Sequence, residues 1–115
     1  MTLPSWDNRT GQIDINGPLS IKTERVSVNT ITDGAVSAWG MIDTSIARTF
    51  TIGLVDEKLD RVLSFTDESL AAGTNNITIT TDSGSLIDGA SSIIISVNGG
   101  GVTLKFDGTN WKDQP

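Results

Sequence analysis

The chain has 115 residues, with 14 Asp or Glu against 8 Lys or Arg for a formal net charge of −6, and it contains no Cys, His or Tyr. That length suits a single domain with a small core, which gains from assembly; the missing residue types remove disulfides, the commonest zinc ligands and every Cys or His route to nucleophilic or general-base catalysis, and with them most hydrolase chemistry. The acidic balance opposes nucleic-acid phosphates and anionic membranes, no run approaches the roughly 18–20 apolar residues of a membrane span, and the first residues lack the basic-then-apolar order of a secretory signal.

Fifteen Thr, 12 Ser, 13 Ile, 7 Val and 12 Gly make a β composition. Thr, Ile and Val are stiff at χ1 and fit a pleated surface, while Gly, Asn and Asp supply turns. Residues 1–17 carry Pro4, Trp6, Asp7, Asn8, Arg9 and Gly11 and read as an extended N-terminal arm. Its apolar and basic residues Leu3, Pro4, Trp6 and Arg9 are candidates for contact with a partner, and a frayed end whose Trp6 covers the chain's own core is the plainer alternative. Residues 18–115 read as the β domain.

Ile13, Ile15, Leu19 and Ile21 alternate with polar residues around the turn Gly17-Pro18. Residues 25–32 form the next expected strand, with Val26 and Val28 on one face and Asp33-Gly34 closing it. Residues 35–42 come next, Val36, Ala38 and Gly40 on one side and Trp39 and Met41 on the other, a pattern that suits burial on both faces. Residues 49–55 place Phe50, Ile52 and Leu54 together. Residues 56–65 are ambiguous: Leu59, Val62 and Leu63 have helical spacing, whereas the run that closes the stretch is β-like, so a single helical turn is the most that fits. Residues 76–81 give the cleanest alternation, Ile77 and Ile79 inward and Thr78 and Thr80 outward.

A strand over residues 92–97 contains Ile93, Ile94 and Ile95, which cannot all face one side. Either both sheet faces are covered or one meets another subunit, so this trio is the candidate subunit interface. Asn98-Gly99-Gly100-Gly101 then reads as the loop of a hairpin to residues 102–106, and Asp107-Gly108-Thr109-Asn110 returns Trp111 to the apolar face. In that last turn Asp107 can accept backbone N–H groups, Gly108 can take positive φ and Asn110 can cap, making the four a structural turn rather than a ligand site. The expected fold is all-β, a compact antiparallel sandwich or barrel-like domain of about eight short strands.

The order Thr66-Asp67-Glu68-Ser69, Ala72-Gly73-Thr74-Asn75-Asn76-Ile77-Thr78-Ile79-Thr80, Ile87-Asp88-Gly89-Ala90, Val102-Thr103-Leu104 and Asp107-Gly108-Thr109-Asn110-Trp111 resembles a module of tailed-bacteriophage virion proteins found in tail fibres, head fibres and other surface appendages. The resemblance covers residues 46–112, Phe50-Thr51-Ile52 fitting the strand that opens such modules. It departs at Gly99-Gly100-Gly101, where the pattern often has an aromatic residue beside a Gly. It implies a β-rich building block that assembles, often as a homotrimer, and does no chemistry, so neither enzyme activity nor a cofactor is expected. With Met1 at the start and the motif close to the end, a free-standing decoration or cement protein on the capsid surface is expected, its partners being itself and the major capsid protein or another virion protein. A fibre segment or receptor-binding tip for a host glycan is the alternative.

Other chemistry fits less well. Asp56, Glu57, Asp60, Asp67 and Glu68 invite a calcium site, but the spacing matches no EF-hand loop, and Lys58 and Arg61 interleave, which favours a solvated face with local ion pairs. A paired-carboxylate glycosidase needs two acids positioned in a cleft, and no metal or catalytic residue is assigned. Residues 98–101 lack the Lys-Ser or Lys-Thr ending of a phosphate loop and lead into a strand where a helix is required. Trp6, Trp39 and Trp111 could stack on sugars only from a shared surface, and core or interface packing is the simpler reading.

Overall fold

The computed structural model describes residues 21–114. The arm, with Leu3, Pro4, Trp6 and Arg9, and the alternating stretch from Ile13 to Leu19 lie outside the described residues. The described chain folds into nine strands: β1 (Thr23–Val26), β2 (Thr30–Ile31), β3 (Ala38–Met41), β4 (Arg48–Ile52), β5 (Val62–Asp67), β6 (Ile77–Thr81), β7 (Ser92–Ile95), β8 (Gly101–Phe106) and β9 (Trp111–Asp113). The helical turn expected near Leu59 is a 3-10 turn earlier in the chain, Leu54–Asp56.

All-β is therefore right, but the antiparallel arrangement and the barrel-like closure are not. The strands form two open sheets, in the orders β1-β3-β5-β8-β9 and β2-β4-β6-β7. From β1 to β6 the chain alternates between them, so like neighbours run parallel: β1 with β3, β3 with β5, β2 with β4 and β4 with β6. Parallel neighbours cannot be joined by a tight turn, and here the strand of the opposite sheet serves as the crossover that is usually a helix. Only the last third turns back, with β7 antiparallel to β6, β8 to β5 and β9 to β8. The glycine-rich segment 98–101 is accordingly no hairpin: β7 and β8 belong to different sheets, and the segment carries the chain across the sandwich.

The period-2 pattern does set which side chains face inward. Trp39, Met41, Leu63, Phe65, Leu104 and Phe106 from the first sheet meet Phe50, Ile52, Ile77, Ile79 and Ile95 from the second, all buried. Aromatic rings pack in tilted pairs: Trp39 to Phe50 at 6.1 Å and Phe50 to Phe65 at 4.9 Å between centroids link the layers, and Phe106 to Trp111 at 5.1 Å joins neighbouring strands of the first sheet, within the range that adds to simple burial. Leu54, expected beside Phe50 and Ile52, is instead exposed, because β4 stops at Ile52 and the 3-10 turn rotates it outward.

Candidate interaction surfaces

Two buried carboxylates organise the connections at opposite ends of the sandwich, and they divide the acidic cluster seen in sequence. Asp67, at the end of β5, accepts the backbone N–H of Ser69 (3.0 Å), Ala72 (2.9 Å) and Gly99 (3.1 Å) and the Ser69 hydroxyl. Burial alone would raise its pKa, but these donors together outweigh burial and hold it below the ordinary carboxylate value. Asn98 Oδ1 accepts the Gly73 N–H at 2.8 Å, and Asn75 donates to the carbonyls of Thr44 and Ser45, tying three connections into one layer.

At the other end Asp56 is fully buried and pairs with Arg61 at 2.8 Å while accepting the Gly34 N–H at 3.1 Å. Arg61 donates further to the Ser37 hydroxyl and the Val36 carbonyl. The neighbouring Glu57 accepts from the Ser85 hydroxyl and from Trp111 Nε1, both at 3.1 Å. Asp56 and Asp67 are thus interior turn anchors, not parts of a solvated face. Their oxygens are spent on backbone and guanidinium donors, and no group of three or more acidic side chains among the described residues is placed to hold a metal ion.

The Asp107–Trp111 turn is built in the same way. Asp107 Oδ1 accepts the N–H groups of Thr109 (2.9 Å) and Asn110 (2.8 Å), Gly108 has φ +100°, and Asn110 Oδ1 accepts the Leu86 N–H at 2.9 Å. The backbone donors from Asn110 and Thr109 hold the Asp107 carboxyl below its usual range. Trp111 comes next and is fully buried, its ring on Phe106 and its indole N–H on Glu57. Trp39 is likewise 3 % exposed, with no hydrogen-bond partner for its Nε1 among the described residues. Neither ring is available for stacking on a sugar.

The three isoleucines of β7 separate by parity. Ile95 is buried in the chain's own core, Ile93 packs partly buried against it, and Ile94 points outward at 58 % exposure. Register places Ile94 beside Thr78 and Thr49 on the outer face of the second sheet, with Ile31, Thr51, Thr80 and Ser92 forming the adjacent row. Sequence reasoning missed this flat Thr-rich face, with Ile31 and Ile94 at its margins; the alternating Thr residues of β4 and β6 were its signal. Elsewhere Leu59, Asp60, Lys105, Asp107, Lys112 and Gln114 line a shallow cavity of about 280 Å³ that holds charges of both signs and no aromatic ring.

No protein-family model and no curated protein matches this chain.

Proposed function

We propose that this chain is a structural protein of a tailed-phage virion, a decoration or cement protein that binds and stabilises the outer head surface as a homotrimer. The observation that carries the reading is the state of the phage-like motif: Asp67, Asp107, Asn110 and Trp111 are all spent on closing turns and locking the sandwich. A motif used up internally specifies a stable scaffold, and the function then falls to its surfaces. Exposed Ile31 and Ile94, at the margins of the Thr-rich face, are the apolar contacts for the subunit interface, and the arm bearing Leu3, Pro4, Trp6 and Arg9 is the contact with the lattice. Binding to the assembled shell and not to its dissociated subunits shifts that equilibrium toward the shell.

One feature favours a second reading, a segment of a head or tail fibre. Among the described residues the parallel winding of β1 to β6 ends at β1 and β2 on one side and is closed by antiparallel strands on the other, a geometry that suits stacking on a further β unit. A glycan-binding tip is less well supported, because Trp39 and Trp111 are interior.

Light scattering on the purified chain, beside a variant lacking residues 1–11 and a Trp6→Ala variant, with co-sedimentation of each on the phage's expanded and unexpanded empty capsids, tests the proposal. A trimer that binds capsids, and that remains a trimer but loses capsid binding without the arm, is expected. A full-length chain that ignores capsids in both states overturns the cement role and leaves the fibre segment.

A further inference from the structure

Among the described residues four strands end the two sheets, and three of them carry the usual protection against pairing with another chain: charge or brevity. β1 bears Glu24 and Arg25, β9 bears Lys112 and Asp113, and β2 is two residues long. β7, Ser-Ile-Ile-Ile, has neither charge nor proline, and among the described residues its one strand partner is β6. Alternate backbone N–H and C=O groups of such a strand point away from its neighbour, ready for another strand.

Beside this edge, between the sheets, lies a cleft of about 320 Å³. Among the described residues β9 pairs with residues 104–106 of β8 and the Gln114 N–H reaches the Thr103 carbonyl, so no strand covers Gly101 and Val102 on that side. Ile93, Ile95 and Val102 line it, and Gly101 contributes no side chain to fill it. Asp88 and Asp113 also line the cleft. Asp88 accepts the Asp113 N–H at 3.0 Å, and neither carboxylate forms an ion pair among the described residues.

We propose that the β7 edge and this cleft receive an extended segment of a partner protein by strand addition. The added strand continues the second sheet beyond β7. Two apolar side chains two positions apart enter the cleft against Ile93, Ile95 and Val102, and a Lys or Arg two positions further along, on the same face, meets Asp88 and Asp113. Charge complementarity chooses this occupant over a second copy: β7 of another molecule would bring no cation to the two carboxylates, and the chain as a whole is acidic at −6. The four residues of β7 span only about 13 Å, so the contact by itself suits a reversible grip. This inference stands apart from the virion reading, since it requires a basic, alternating segment from any source.

The test uses the full-length, isotope-labelled protein and the synthetic peptide acetyl-Lys-Thr-Val-Thr-Val-Thr-Lys-amide, in which Lys and Val share one face. Controls carry Glu at both ends or Pro in place of the central Thr. The Lys peptide is expected to shift the β7 amide resonances and slow exchange of the outward-pointing amides. The Glu peptide should bind at least tenfold more weakly, the Pro peptide should leave β7 unshifted, and Asp113→Lys, which leaves Asp88 beside a cation, should abolish the preference for the Lys peptide. Absence of β7 shifts up to about 5 mM peptide, beyond the millimolar range of a minimal contact, overturns the proposal. So does an Asp113→Lys variant that leaves both affinities unchanged. Outward β7 amides already protected in the free protein would also overturn it: with a concentration-dependent rise in mass the edge belongs to a second copy, and without one to the chain itself.

Discussion

Asp67 shows how much a single side chain can hold. Its carboxylate gathers the N–H groups of Ser69, Ala72 and Gly99, so one residue joins the end of β5 to the connection after it and to the crossover before β8. Replacing it with Ala leaves buried donors without an acceptor, which by general experience costs about 1–3 kcal/mol for each group not rescued by water. Asp67→Ala is therefore expected to lower the urea midpoint sharply, and an unchanged midpoint would remove Asp67 from this role. The same physics sets a pH dependence. Asp33, Asp43, Asp67 and Asp107 all have depressed pKa values, mainly through hydrogen bonds that outweigh burial. A carboxylate depressed in the folded state adds stability that is complete above its unfolded pKa, about 4, and drains away as pH falls through the folded value. The melting temperature should hold on lowering the pH to about 5 and fall below about 4, with a shallower fall in Asp67→Asn. For Trp111, fully buried against Phe106, truncation to Ala is expected to cost about 3–5 kcal/mol, and Trp111→Phe, which loses the bond to Glu57, appreciably less.

Single strands were the most legible level of the sequence. The stretch Ile77 to Thr81 alternates in sequence and in space, and the return of Trp111 to the core through Asp107–Asn110 comes from turn chemistry alone. β7 shows what alternation resolves and what it leaves open. Ile93 and Ile95 share the inward parity, yet the outward Ile94 is explained only by the register that sets it beside Thr78. Two substitutions separate these roles: Ile79→Ala should cost about 2–5 kcal/mol, whereas Ile94→Thr should stay within about 0.5 kcal/mol in the isolated subunit. If Ile94→Thr left subunit stability intact while dissociating the proposed trimer, the outer face of the second sheet would be its interface; an intact trimer would place the interface elsewhere. The acidic cluster was less legible, because proximity along the chain between Asp56 and Asp67 hides the fact that β5 carries them to opposite ends of the sandwich.

Strand direction was the least legible level. A half-buried strand alternates in the same way whether its neighbour runs with it or against it, so the pattern that placed Trp39, Phe50 and Phe65 in the core was silent about the parallel winding that puts them there. That winding imposes an order of events on folding. Pairing β3 with β5, or β4 with β6, closes a loop that contains a strand of the opposite sheet, whereas β6–β7 and β8–β9 join neighbours along the chain. Distant pairings must be closed before they are rewarded, which places such chains among the slow folders, in milliseconds to seconds. The C-terminal third is thus expected to form first and serve as the template on which earlier turns wind. Substitutions in β6 and β8 should slow refolding, those in β1 and β2 should chiefly hasten unfolding, and the reverse distribution in rate measurements would exclude this order.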